Sequence, residues 1–100
     1  MKYSIYQLKQ TNEGKSMLFL TYNDAKNKIN PKNYEKVWEG DVDDEEKPCD
    51  KIYEELGKEL PKGFYGHTPS ISDVIVLEDG SAYYIDNIGF KLLDDFNVEA

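Results

Sequence analysis

Two runs of apolar, β-branched and aromatic residues flank Asp79-Gly80, and that pattern leaves a chain little choice but a β-hairpin. Val74-Ile-Val-Leu-Glu78 precedes the dipeptide and Ser81-Ala-Tyr-Tyr-Ile85 follows it. Glycine enters the positive φ of a tight turn without steric cost. A two-residue loop pairs Glu78 with Ser81, Leu77 with Ala82, Val76 with Tyr83, Ile75 with Tyr84 and Val74 with Ile85. One face then carries Val74, Val76, Tyr83 and Ile85, the other Ile75, Leu77, Ala82 and Tyr84. Both are apolar, so the hairpin is expected at the centre of a sheet covered on both sides, or curled into a barrel-like wall.

The rest of the chain supplies partners for such a sheet. Lys2–Leu8 alternates, with Tyr3, Ile5 and Gln7 facing one way and Ser4, Tyr6 and Leu8 the other, as a strand does. Residues 11–15 read as a turn, and Met17-Leu-Phe-Leu20 is a short apolar run. A short helix over residues 21–28, capped by Thr21 or Asn23, stops before Pro31, because the residue before proline is driven out of the α region. Residues 34–40 have strand character, with Tyr34, Lys36 and Trp38 on one face and Val37 on the other. Cys49, Ile52, Tyr53, Leu56 and Leu60 fall at i, i+3, i+4, i+7 and i+11, which defines one apolar stripe of an amphipathic helix. Pro48 sits where its first turn tolerates proline, and Pro61 and Gly63 end it. Phe90–Phe96 closes the chain as a last strand or short helix. The expected fold is α+β over residues 1–100 as a single domain: a small antiparallel sheet with a central Asp-Gly hairpin and one main amphipathic helix packed on it.

Composition narrows the function. One hundred residues with 13 % aromatics can close one core without staples. The single cysteine, Cys49, allows no intrachain disulfide and no cysteine metal cluster, and its helical spacing makes it a core residue. There is no apolar leader segment and no run approaching membrane-spanning length, so a cytoplasmic location and no membrane contact are expected. Residues 1–38 hold seven Lys against three acids, a net of +4, whereas residues 39–100 hold five Lys against 17 acids, a net of −12. Arginine is absent. Phosphate and base-edge readout rely on arginine forks, so direct nucleic-acid binding is disfavoured, and a protein partner with a basic surface is favoured.

From Tyr34-x-x-Val37-Trp38-x-Gly40, through the amphipathic helix, to Gly66-His-Thr-Pro-Ser-Ile-Ser-Asp-Val-Ile-Val-Leu and Tyr83-Tyr-Ile-Asp86-x-x-Gly89-Phe90, the chain resembles the YodL-like domain family. The resemblance spans nearly the whole chain and is densest from Pro61 to Phe96. It implies a bacterial accessory protein of Firmicutes, of the kind carried by plasmids and conjugative elements. It supplies no catalytic set to transfer.

Two groups of residues invite a chemical reading. The acidic loop Asp41, Asp43, Asp44, Glu45 and Glu46, continued by Asp50, Glu54 and Glu55 on the helix, is the longest anionic surface. Such a face is commonly just solvated. Its sharper reading is partner binding, imitating nucleic-acid phosphates to occupy a basic groove on a defence nuclease, as anti-restriction and anti-CRISPR inhibitors do. The second group is His67, Ser70, Ser72 and Asp73, with Asp86 placed opposite Asp73 by the two-residue loop. A hydrolytic or metal-binding centre on His67, Asp73 and Asp86 is the alternative. Ser and Asp before a strand more often form side-chain-to-backbone turns, and there is no nucleophile elbow, P-loop, dinucleotide fingerprint, His-Glu-x-x-His or Cys-x-x-Cys. A non-enzymatic domain without cofactor is therefore expected.

Overall fold

The computed structural model describes residues 1–94 and residue 96. Alternating apolar residues pair into one five-stranded antiparallel sheet: β1 (Lys2–Leu8), β2 (Tyr34–Asp41), β3 (Val74–Leu77), β4 (Ala82–Ile85) and β5 (Phe90–Leu93), in spatial order β2-β1-β3-β4-β5. Helices α1 (Asn12–Ser16), α2 (Tyr22–Ala25) and α3 (Pro48–Lys58) complete an α+β domain, with a 3-10 turn at Pro31–Asn33. Of the predicted last element, Asp95 lies outside the described residues.

β3 is central and buried on both faces. One face joins Tyr3, Ile5, Val37, Ile75, Leu77 and Ile85 to Cys49, Ile52 and Leu56 of α3. The other joins Leu8, Tyr34, Val74, Ala82 and Tyr84 to Met17 and Ala25 beside α1 and α2. The sheet is thus the middle layer, which explains why its central strands lack a polar side.

Three local readings are corrected. The first is the hairpin register. Val74 pairs with Tyr84, Ile75 with Tyr83 and Val76 with Ala82, one residue displaced from the two-residue-loop expectation. Gly80 N donates to Leu77 O at 2.9 Å and Leu77 N to Ser81 O at 2.8 Å, with Gly80 at φ +92°. The loop is therefore three residues long, with glycine in the bulge position of a type I turn. Because side chains alternate, the one-residue slip reverses every β4 face: Tyr84 and Ala82 share a face with Val74, and Ile85 lies with Ile75. A Cβ at Gly80 would meet nothing within 4 Å, so Gly80→Ala is expected to cost only backbone strain, about 1–2 kcal/mol. A thermal melt of the variant measures it.

The second correction is in β2. Ile5 pairs with Trp38 but Tyr6 pairs with Lys36, so Val37 is the extra residue of a bulge. The bulge breaks the alternation. Val37 and Trp38 both pack on the α3 side while Tyr34 packs on the other, so Tyr34 and Trp38 do not share a face. The third is at residues 11–16, where a helix replaces the expected turn: Thr11 Oγ1 accepts from Gly14 N at 3.0 Å as its N-cap. α2 is shorter than the expected 21–28, and its Thr21 makes no side-chain cap bond.

Candidate functional site

α3 presents its apolar stripe inward, with Ile52 at 0 % exposure and Leu56 and Cys49 buried. The opposite side carries acids. Asp50, Glu54 and Glu55 are exposed, as are Asp41, Asp43, Glu45 and Glu46 in the approach to the helix. Among the described residues only Glu54 of this set pairs with a cation, Lys58 Nζ at 3.3 Å. Asp44 differs from its neighbours. Its Oδ1 accepts from Glu46 N and Lys47 N, each at 2.9 Å, and these backbone donors, Lys47 first, hold its carboxyl below the ordinary range. Asp44 thus also builds the turn that leads into α3.

The acids divide around the helix. Glu55 and Asp41 lie toward Tyr3, whose hydroxyl accepts from Trp38 Nε1 at 3.1 Å; burial first, then the charges of Glu55 and Asp41, raise the Tyr3 pKa. Asp50 and Glu54 lie on the other side, lining a trench of about 230 Å³ with Tyr53, Asp86 and Phe90. Tyr53 is 41 % exposed rather than part of the buried stripe, and its ring meets Phe90 edge-on, with centroids 6.0 Å apart. A second hollow shares Asp50 and Phe90 and adds Glu46 and Tyr83. Carboxylates beside aromatic faces are the chemistry that receives a lysine or arginine side chain. The Cys49 thiol at this edge is pushed up to about 12 by burial and by Asp50, so it stays a protonated packing group.

The residues of the alternative constellation, His67, Asp73 and Asp86, each have hydrogen-bond partners of their own. The hairpin slip places Asp73 against Ile85, whose N donates to Asp73 O at 2.9 Å. Asp86 Oδ1 instead accepts from Tyr22 N at 3.0 Å and Asn87 N at 2.8 Å. It supplies from 64 residues away a capping acceptor for the start of α2, where Thr21 gives none. Among the described residues, no group of three His, Cys, Asp or Glu side chains is placed to hold a metal ion. His67 Nδ1 lies 2.9 Å from Thr68 O, and Ser72 Oγ accepts from Phe19 N at 3.2 Å. Neither Ser70 nor Ser72 hydrogen-bonds to the imidazole among the described residues.

The residues near Asp73 do something the sequence only partly signals. Gln7, at 3 % exposure, donates through Nε2 to His67 O at 2.7 Å and to Asp73 Oδ2 at 3.1 Å, and its Oε1 accepts from His67 N at 3.2 Å. A Cβ at Gly66 would overlap Gln7 Oε1, so a larger residue there would push the Gln7 amide away from its bonds to His67. The alternation of β1 places Gln7 inward with Tyr3 and Ile5, and an inward amide asks for a buried partner.

The family model for the YodL-like domain matches residues 2–96. The chain belongs to the YodL-like domain family. No curated protein and no solved structure matches it. Among the described residues, no helix of this YodL-like domain is long and apolar enough to cross a membrane.

Proposed function

We propose that this YodL-like domain is a small, non-enzymatic interaction module, working in the cytoplasm, whose hairpin-centred sheet carries α3 as its working face. The acidic side of α3, with the loop before it, binds a protein partner through a basic surface. One observation carries this reading: carboxylates flank both sides of α3 and border an aromatic trench, with only Glu54 of the set ion-paired among the described residues. Unpaired exposed acids cost little to keep apart in water, but they attract a cationic surface over about 8 Å at physiological salt. The sharpest form of the reading is inhibition of a nucleic-acid-binding defence protein by imitation of phosphate charge, in the manner of anti-CRISPR and anti-restriction proteins of plasmids and phages. The net charge of −8 and the absence of arginine agree with it.

Affinity capture from a Firmicutes lysate supplies the partner, and association kinetics at two ionic strengths supply the test. The combined variant Asp43→Lys, Glu45→Lys and Glu46→Lys leaves Asp44 to hold its turn. It is expected to keep its melting temperature, since exposed charges contribute little to stability, and to associate about tenfold or more slowly with a flattened salt dependence. Association as fast as the parent's at low salt would show these loop acids to be solvated surface.

A further inference from the structure

The two edges of the sheet are finished differently. β2 is interrupted by the bulge at Val37, and the loop beyond α3 closes over it: Tyr65 N donates to Val37 O at 3.0 Å and Phe64 stacks on Trp38 with centroids 5.9 Å apart. Bulges and covering loops keep an edge from pairing with another chain. β5, the opposite edge, has neither. Its register with β4 is continuous, and Phe90–Leu93 contains no proline or glycine. Among the described residues no strand lies beyond it.

The ladder fixes which backbone groups of β5 point outward. Asp86 N donates to Gly89 O at 3.1 Å, and the register continues through Ile85–Phe90, Tyr84–Lys91, Tyr83–Leu92 and Ala82–Leu93. Antiparallel pairs alternate between those that exchange hydrogen bonds and those that do not. Lys91 and Leu93 therefore bond to β4, whereas Phe90 and Leu92 turn their N–H and C=O groups to the outer edge. The other side of β4 agrees, since Ile85 N donates to Asp73 O at 2.9 Å and so faces β3. Side chains alternate as well. Phe90 packs on the α3 face and Leu93 on the opposite one. Leu92, at 55 % exposure, thus shares the α3 face, while Lys91, the one charge of the strand, falls on the other. Beside Phe90 on the α3 face lies the trench with Asp50, Glu54 and Asp86, and next to it the hollow that adds Glu46 and Tyr83. A chain laid along β5 places every second side chain toward these carboxylates and rings.

We propose that β5 is a docking edge: an extended basic segment of the partner adds to the sheet as a further strand, its main chain bonded to Phe90 and Leu92 and its alternate lysine or arginine side chains lying in the trench against Asp50 and Glu54. In such an addition the main-chain bonds supply affinity and the alternate side chains supply selectivity. The proposal rests on the reading of the acidic side of α3 as the working face, and it specifies that the basic surface is carried by an extended segment. A second copy of this chain is the poorer occupant, because it brings a net charge of −8 and the same carboxylates to the edge.

A peptide of alternating lysine and threonine is the probe, followed by amide hydrogen exchange and titration calorimetry. Its binding is expected to raise protection at the Phe90 and Leu92 amides by about tenfold or more, and to leave Lys91, already bonded to β4, unchanged. Leu92→Pro removes one outward N–H at a position where an edge strand tolerates proline, and is expected to weaken binding about tenfold. Leu92→Ala keeps that N–H and is expected to bind like the parent. Asp50→Lys combined with Glu54→Lys is expected to weaken binding by about tenfold or more. Weakening by the charge reversal alone, with Leu92→Pro unaffected, would overturn strand addition and leave the acidic face standing as a binding surface. Weakening by Leu92→Pro alone would overturn the basic occupant, and the acidic reading with it. A peptide that leaves Phe90 and Leu92 unprotected in the unaltered protein overturns the docking edge, and this measurement decides if Leu92→Pro fails to fold. Protection of both amides in the concentrated protein alone, with a doubled mass in sedimentation, would give the edge to a second copy and overturn the proposal.

Discussion

Tyr84→Ala is expected to remove about 3–5 kcal/mol of stability, the largest loss of any single truncation in the sheet. Tyr84 is at 0 % exposure and is the largest fully buried side chain among the described residues. Its ring meets Tyr22 edge-on, with centroids 5.9 Å apart at 64°, and packs in the cluster that joins Val74 and Ala82 to Met17 and Ala25. Its hydroxyl donates to Leu20 O at 2.6 Å, tying the segment between α1 and α2 to β4. Truncation leaves a ring-sized cavity and an unpaired carbonyl. Tyr84→Phe separates the two contributions. It keeps the ring and removes the hydroxyl, so it is expected to cost about 1 kcal/mol. Urea unfolding followed by Trp38 fluorescence measures both. A domain of this size holds roughly 5–15 kcal/mol in total, so the alanine variant should move the midpoint far while the phenylalanine variant moves it slightly. Equal losses would mean that the hydroxyl, not the ring, holds α2 in place.

On the opposite face, Ile52→Ala is expected to cost about 2–5 kcal/mol. Ile52 is at 0 % exposure on α3, between Cys49 and Leu56, and faces Ile5, Ile75 and Ile85 across the interface. Removing its branched side chain opens a void that the rigid sheet beneath cannot fill by relaxing. Glu55→Ala is the control three residues on. Glu55 is exposed and has no ion pair among the described residues, so the expected change is within about 0.5 kcal/mol. The same urea curves compare them, and similar losses at the two positions would show that the apolar stripe of α3 is not what docks.

The chemistry was harder to read than the architecture. Helical spacing separates Glu55 from Asp50 and Glu54, and the structure turns the two groups toward different sides of α3, one near Tyr3 and one in the trench. Sequence alone could not find Tyr53 at the rim, because its spacing matches the buried stripe as well as Ile52 does; what decides is that Phe90 of β5 stands beside it. Asp44 looked like one solvated acid among five, yet its position three residues before Lys47 lets its carboxylate receive two backbone N–H groups.

Short-range physics determines much of this chain. Residues that fit a pleated surface on either side of Asp79-Gly80, and apolar side chains at helical spacing from Cys49 to Leu56, carry their conformational preference in the order of the residues. Tertiary structure alone decided how these pieces register. A two-residue and a three-residue loop through Asp79-Gly80 differ little locally, but only the latter brings Tyr84 under α2 and Ile85 under α3. In β2, the bulge at Val37 lets both Val37 and Trp38 pack beneath α3, which strict alternation forbids. Asp86 capping α2 and Gln7 holding His67 link residues about 60 positions apart. No local pattern encodes such pairs. They exist because buried donors and acceptors must find partners once the sheet has closed, and Asp73 Oδ1 is an atom for which that closure provides none.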